Sequence, residues 1–189
     1  QTGTTTELNL ADFFRLNGIS YEALPIETND EGKENLFAGR CDVYTTDASG
    51  LSSTRAAASN PDKWVVLPEI ISKEPLGPLV RHGDHQWGDV VRWSLNAMII
   101  AEELGITSEN VDAQMSSNVP EVLRLLGVEG NYGEMLELSN DWAYQIIKQI
   151  GNYSESYEAN VGPDTPLEIA RGLNALWTQG GILYAPPFR

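Results

Sequence analysis

Thr2-Gly3-Thr4-Thr5-Thr6-Glu7 and, further along the chain, Gly39-Arg40-Cys41-Asp42-Val43-Tyr44-Thr45-Thr46-Asp47 are the two stretches that decide the fold. The first is a turn rich in glycine and hydroxyl groups that opens a helix. The second alternates between apolar and polar residues and ends in a carboxylate. The start of a helix suits an anion and a carboxylate suits a cation, so the pair predicts a site for opposite charges.

The first stretch predicts a helix that begins near Thr5. Apolar residues recur behind it at helical spacing, and Gly18 stands where a glycine commonly ends a helix. The first N–H groups of a helix have no partner inside it and its dipole is positive there, so a carboxylate or phosphate can bind. The alternative is an ordinary N-cap, in which a threonine bonds forward and Glu7 completes a capping box.

The second stretch predicts a strand, Cys41 to Thr46, with Asp47 at its carboxyl end. A short helix precedes it, which Asn29 would cap and Gly39 would end. In open α/β sheets, ligands bind outside the carboxyl ends of the strands, which makes Asp47 a candidate for a cation. The alternatives are a solvated loop aspartate or a cap for the helix that follows. A ligand with an anionic and a cationic group on one carbon is an amino acid.

Four longer segments extend these stretches: QTGTTTELNLADFF at 1–14, GRCDVYTTD at 39–47, LPEIISKEPLGPLVRHGD at 67–84 and RGLNALWTQGGILYAPPFR at 171–189. Together they resemble the periplasmic amino-acid-binding proteins of bacterial ABC importers. The similarity is to the general L-amino-acid branch, whose ligands are of the glutamate, glutamine or aspartate type. It runs from Gln1 to Arg189. It implies a protein exported to the periplasm that delivers its ligand to the permease subunits in the membrane.

The resemblance also implies a fold and roles for residues. Members of the family have two α/β lobes of the type II periplasmic-binding-protein class, which close on the ligand. Residues 1–83 would be the second lobe with a mostly parallel sheet, and residues 84–189 a helical C-terminal extension that returns to the first lobe. Thr4 and Thr5 would hold the α-carboxylate of the ligand, and Asp47 its α-ammonium.

The family has a first lobe and one further strand upstream of the segment that matches Gln1, so we expect the chain to be a fragment that is unstable alone. Cys41 is the only cysteine. A lone cysteine in an exported protein suggests a missing partner. The resemblance supplies one on the upstream strand, and a disulfide would link the first lobe through Cys41 in an oxidising compartment. The alternative is a buried free thiol.

The hydrophobic and helical patterns predict the remaining elements. Ile19–Pro25 and Trp64–Leu67 are further predicted strands, and their alternation with helices predicts the parallel sheet. From Asp84 the pattern is helical: Asp84 would cap a long helix that ends at Gly105, and shorter helices follow it. Thr165 would cap a last helix, Pro166 to Gln179, with proline at its favoured first position.

Charge limits the classes of partner. The chain has 27 acidic and 12 basic residues among 189, a net charge of −15. This charge disfavours nucleic acid and anionic membrane surfaces, both of which need lysine and arginine. No apolar run approaches the roughly 20 residues of a membrane span, so direct membrane insertion is not expected.

Enzymatic and adaptor functions are the alternatives. The chain lacks a nucleophile elbow, a phosphate-binding loop and a dinucleotide fingerprint, so no cofactor is predicted. An enzyme on the same fold would use Asp47 as its acid or base, because a fold does not fix a function. His82 and His85 are a weak candidate for a metal pair. The tail Tyr184 to Arg189 could serve as a docking peptide of a sensing or interaction module.

Overall fold

The computed structural model describes residues 1–73 and 75–188. These residues fall into two units, Gln1–Leu76 and Gly77–Arg189. Glu74 and Arg189 belong to the predicted lobe and extension, respectively, and lie outside the described residues.

The first unit contains three α-helices: α1 (Thr5–Leu16), α2 (Asn29–Phe37) and α3 (Ala48–Ala56), followed by a short 3₁₀ turn at Pro61–Lys63. α1 begins at Thr5, as the sequence predicts, and Gly18 follows its end with a left-handed φ of 64°. α2 is also present, but its N-cap is Thr28 and not Asn29. The Thr28 hydroxyl accepts a hydrogen bond from the Glu31 N–H at 3.2 Å.

The predicted strands are not formed. Among the described residues, no strand is present, and the single β-bridge pairs Leu176 with Leu183. The described residues therefore do not contain the predicted parallel sheet. There are no backbone hydrogen bonds that join the predicted strands at 19–25, 41–46 and 64–67. An alternating pattern shows only that a segment suits a pleated, half-buried surface, and a strand also needs a neighbour to pair with.

The first unit also has little apolar core to fix such pairs. Among its described residues, Ile26 is the one buried large apolar side chain, at 6% exposure. The side chains that strands would bury remain exposed instead, and Val43 and Val65 are 66% and 78% accessible. With so few buried apolar contacts, the predicted strands have no hydrophobic surface that sets their register.

The second unit is helical, as predicted. It contains α4 (His85–Glu103), α5 (Val111–Gln114), α6 (Pro120–Leu125), α7 (Tyr132–Met135), α8 (Trp142–Ile150) and α9 (Tyr153–Asn160). The Asp84 carboxylate caps α4 by accepting from the Trp87 N–H at 3.1 Å, and Gly105 follows its end with a φ of 67°. Within the described ranges, none of the helices is both long and apolar enough to span a bilayer.

The predicted helix from Pro166 to Gln179 is wrong. Two 3₁₀ turns, Gly172–Asn174 and Trp177–Gln179, occupy this range. Glu168 and Gly172 have positive φ angles of 52° and 49°, and a left-handed residue interrupts an α-helix. The favourable cap and proline at the start of this range therefore do not produce a helix.

The hydrophobic core of the second unit lies between α4, α6, α8 and the C-terminal segment. Its fully buried side chains include Ile106, Leu125, Leu126 and Ile147. Phe188, near the C-terminus, is 5% exposed, and its ring packs on Trp93, Tyr132 and Trp142. The tail is therefore anchored in the core through Phe188, which limits its use as a free docking peptide.

Candidate functional site

The start of α1 is capped by side-chain hydrogen bonds. The Thr4 hydroxyl accepts a hydrogen bond from the Glu7 N–H at 3.4 Å and donates one to the Gln1 carbonyl at 2.7 Å. The Glu7 carboxylate accepts from the Gly3 N–H at 2.8 Å. The threonine cap that the sequence allows is thus present, but the capping box is not, because Glu7 accepts from Gly3 and not from the N–H of the N-cap residue Thr4. A side-chain carboxylate already lies against this helix start, which is the interaction that a ligand carboxylate would make.

Glycine is needed in this turn. Gly3 has a φ of 72°, a left-handed conformation that other residues adopt only with strain, and a Cβ atom here would meet no atom within 4 Å. The backbone next to Thr4 and Thr5 is therefore open on the side where a side chain would otherwise stand.

Asp47 occupies the N-cap position of α3 but does not cap that helix with its side chain. Its backbone has φ −55° and ψ 145°, and its carbonyl accepts from the Leu51 N–H at 2.9 Å. The residue is exposed. The carboxylate therefore stands at the surface of the first unit, where it can meet a cationic group.

Thr4, Thr5 and Asp47 line one open depression of about 280 Å³ in the first unit. The other lining residues are Gln1, Thr6, Asn29, Thr45, Thr46 and Leu76. The fold thus brings all three predicted site residues to the same concave surface. The depression has the α1 start on one side and a carboxylate on the other, and it is shallow, with none of its lining residues fully buried.

A second depression of about 160 Å³ adjoins the first. It shares Asn29, Thr46 and Asp47 with the larger one and adds Lys33, Tyr44, Gly50, Ser53 and Thr54. The sequence did not predict Lys33, Tyr44 or Thr46 as site residues, and it gave Asn29 only a capping role. Asn29 follows the predicted strand 19–25, as Asp47 follows the predicted strand 41–46. This position after a predicted strand is the feature of the sequence that could have identified Asn29 as a site residue.

Tyr44 lines the smaller depression and bonds to α2. Its hydroxyl donates a hydrogen bond to Asn29 Oδ1 at 3.2 Å. Burial raises the pKa of the Tyr44 phenol above its ordinary value, although its hydrogen bond with Thr46 acts in the opposite direction. The phenol is therefore protonated at neutral pH and is the donor in this bond.

Gly32 sets the position of the Tyr44 ring. A Cβ atom on this buried glycine would lie 2.6 Å from Ile26 Cδ1 and 2.7 Å from Tyr44 Cε2. Real Cβ atoms do not approach other carbons so closely. The ring can therefore pack against α2 only because residue 32 has no side chain.

The charges at the site are of both signs. The Lys33 ammonium lies 3.0 Å from the Asp30 carboxylate, in an exposed ion pair within α2.

Over the described ranges, no group of three or more histidine, cysteine, aspartate or glutamate side chains is arranged to hold a metal ion. Cys41 is a free, half-buried cysteine next to this region in sequence.

The fold is similar to that of a solved periplasmic binding protein. The chain superposes over its whole length on the structure of an ABC transporter / periplasmic binding protein from Brucella ovis with glutathione bound. The TM-score is 0.94 at 52% sequence identity, and the match covers 60% of that protein. The chain thus has the fold of part of a periplasmic binding protein.

Curated relatives of the chain are amino-acid-binding proteins. The chain is 57% identical to the glutamate/glutamine/aspartate/asparagine-binding protein BztA of Rhodobacter capsulatus and 56% identical to the general L-amino acid-binding periplasmic protein AapJ of Rhizobium johnstonii. It is 54% identical to the putative amino-acid ABC transporter-binding protein YhdW of Escherichia coli K12. Each match covers all of the chain and 56% of the relative.

The chain is therefore a homologue, along its full length, of part of the amino-acid-binding proteins of ABC transporters, and the resemblance in the sequence is confirmed. It spans a little more than half of the length of these relatives. No family model matches the chain.

Proposed function

We propose that this chain is part of a periplasmic solute-binding protein that captures a polar L-amino acid and delivers it to the membrane permease of an ABC importer. The observation that carries the proposal is the placement of Thr4, Thr5 and Asp47 around one depression. The identity to amino-acid-binding relatives supports it.

The proposed contacts match the charges of an amino acid. The α-carboxylate would bind beside Thr4 and Thr5 at the start of α1, where the first N–H groups of a helix have no partner inside it and the helix dipole is positive. The α-ammonium would pair with the exposed carboxylate of Asp47. This arrangement needs no catalytic group, and the relatives are named as binding proteins, so binding is favoured over an enzyme that uses Asp47 as its acid or base.

High affinity needs a second surface. The depression is open, so water screens both proposed charge contacts in this unit. A covering lobe would exclude that water and strengthen both contacts, because the Coulomb energy increases as the effective dielectric constant falls. We therefore propose that residues 1–83 form the second lobe and that residues 84–189 return to a first lobe in the full-length protein.

The proposed ligand is an amino acid of the glutamate, glutamine, aspartate or asparagine type, which the name of the Rhodobacter relative supports. A γ-glutamyl peptide is a second candidate, since the Brucella structure contains glutathione. Such a peptide carries the same α-ammonium and α-carboxylate on its glutamyl residue, and the second depression next to Asp47 offers room for an extension.

Calorimetry tests the binding site. The protein for the test is the Rhodobacter relative BztA with its matching segment replaced by this chain, so that the whole length of the relatives is present. We expect Asp47→Ala to weaken glutamate binding by about 2–5 kcal/mol, as for a broken buried charge pair. Asp42→Ala is the control, because Asp42 is an exposed aspartate that lines neither depression. A loss below about 0.5 kcal/mol at Asp47 would contradict the assignment.

A disulfide between Cys41 and a cysteine elsewhere in the full-length protein is a further part of the proposal. In an oxidising compartment such a bond would hold a cleaved piece attached. The intact mass of the protein purified from the periplasm, measured before and after reduction, tests it. A heavier species that reduction converts to a free Cys41 chain is expected, and a thiol at Cys41 under both conditions would contradict it.

A further inference from the structure

Asn29 lies where the two depressions meet. It lines both of them, together with Thr46 and Asp47. If an amino acid places its ammonium at Asp47 and its carboxylate at the α1 start, its side chain extends from the same carbon. The smaller depression adjoins Asp47 and offers space of about 160 Å³ for that side chain.

The Asn29 amide is oriented by its hydrogen bond. The Tyr44 hydroxyl donates to Asn29 Oδ1 at 3.2 Å, so the carbonyl end of the amide is engaged with Tyr44. The group that Asn29 can then offer to a ligand is its NH₂, which only donates. The Tyr44 ring occupies space that a side chain at Gly32 would fill, so its position beside Asn29 depends on glycine at residue 32.

Two neighbouring donors are already engaged by partners within the protein. The Thr54 hydroxyl donates to the Gly50 carbonyl at 2.8 Å within α3, and the Lys33 ammonium is paired with Asp30 at 3.0 Å. A neutral NH₂ group donates equally to a carboxylate oxygen and to an amide oxygen. It therefore suits ligands that end in either group and gives little distinction between them.

We propose that Asn29 contacts the side-chain oxygen of the ligand through Nδ2, and that Tyr44 is the positioning residue that fixes the orientation of the Asn29 amide. This inference rests on the proposed function. It assigns the specificity for amino acids with a carboxylate or amide side chain to the smaller depression. Since the donor is neutral, glutamate and glutamine are both accepted.

The ratio of the dissociation constants for L-glutamate and L-glutamine tests the inference. It is measured by calorimetry in the BztA protein that carries this chain. Asn29→Asp replaces the donor by a carboxylate that repels glutamate, and we expect the ratio to rise by about 10-fold or more, within the range of a hydrogen bond to a charged group. Tyr44→Phe keeps the ring and removes the hydroxyl. The released amide can then turn its carbonyl toward the NH₂ of glutamine, so we expect the ratio to rise by about 3-fold.

Two matched controls accompany these variants. Asn118→Asp adds the same charge at an exposed asparagine of the second unit that lines neither depression. Tyr21→Phe removes a hydroxyl from a tyrosine that packs on Phe14 outside both depressions. Neither control is expected to change the ratio.

The outcomes separate the two levels of the proposal. If the unaltered protein binds both amino acids and the ratio in Asn29→Asp stays within about 2-fold of its original value, the assignment of Asn29 is overturned. An unchanged ratio in Tyr44→Phe, with a raised ratio in Asn29→Asp, overturns the positioning role alone. If the unaltered protein binds neither amino acid, the proposed function fails and the inference fails with it.

Discussion

Arg171 links the C-terminal segment of the second unit to α4. Its substitution tests how much a buried ion pair contributes to the stability of this unit. Its Nη2 atom lies 3.0 Å from both carboxylate oxygens of Glu102, and Nε and Nη2 both donate to the Asn174 carbonyl. The guanidinium also lies 5.3 Å from the ring centres of Tyr153 and Tyr157. The Arg171 and Glu102 side chains are 16% and 8% exposed, respectively, so the pair is largely screened from water.

These contacts set the expected magnitude. Arg171→Met keeps much of the apolar stem but leaves the Glu102 carboxylate buried without its counter-charge. Removal of one partner of a buried ion pair costs about 3–5 kcal/mol, and we expect a loss of unfolding free energy in that range. Arg92→Met is the matched control. Arg92 pairs with Asp89 at 3.2 Å on the surface of α4, with side chains 70% and 49% exposed, and such pairs contribute at most about 1 kcal/mol.

Urea unfolding of the BztA protein that carries this chain, followed by tryptophan fluorescence, measures the difference. Four of the five tryptophans of this chain lie in the second unit, so its contribution to the signal comes mainly from the unit that holds Arg171. A double variant with Glu102→Gln completes a thermodynamic cycle and isolates the energy of the pair. If Arg171→Met and Arg92→Met differ by less than about 1 kcal/mol, burial does not strengthen this ion pair and the reasoning is refuted.

Three further predictions concern local geometry and pH. Gly32→Ala should destabilise the first unit by about 1–3 kcal/mol, because the new methyl group overlaps the Tyr44 ring. Thermal unfolding followed by far-UV circular dichroism measures this loss, and a stabilised variant would contradict the prediction. Asn152→Ala should lower the free energy of unfolding in urea by about 1–3 kcal/mol. This buried side chain closes the capping box of α9 and donates a hydrogen bond to the carbonyl of Ile106. A loss as small as that of an exposed cap would argue against the prediction. The hydrogen bond from Lys148 lowers the pKa of Asp112 in the folded protein. The stability that the ionised Asp112 contributes is therefore complete above the ordinary carboxyl pKa of the unfolded chain. It is lost as pH falls through the lower pKa of the folded state. Lys148→Met should raise the Asp112 pKa toward its ordinary range in an NMR titration, and an unchanged pKa would exclude Lys148 as the cause.

The sequence alone determined the elements whose signals are local. The start of α1 at Thr5, and the limits of α4 between Asp84 and Gly105, follow from caps and terminal glycines that act within one or two helical turns. The same reasoning predicted an anion site at the helix start and a cation site at Asp47, and the resemblance assigned Thr4 and Thr5 to the first of these. The resemblance in four longer segments gave the family of the relatives.

The tertiary structure alone decided the features that join distant residues. Tyr44 meets Asn29 across 15 positions, and Arg171 meets Glu102 across 69, and no local pattern encodes either pair. The predicted strands failed for the same reason: an alternating segment has the propensity for a strand, but the ladder needs a neighbour and a buried face that the first unit does not supply. Likewise the cap at Thr165 did not make a helix, because left-handed backbone at Glu168 and Gly172 interrupts the range. Local physics therefore fixed the start of α1 and the limits of α4, and packing between distant residues decided which polar groups share a surface.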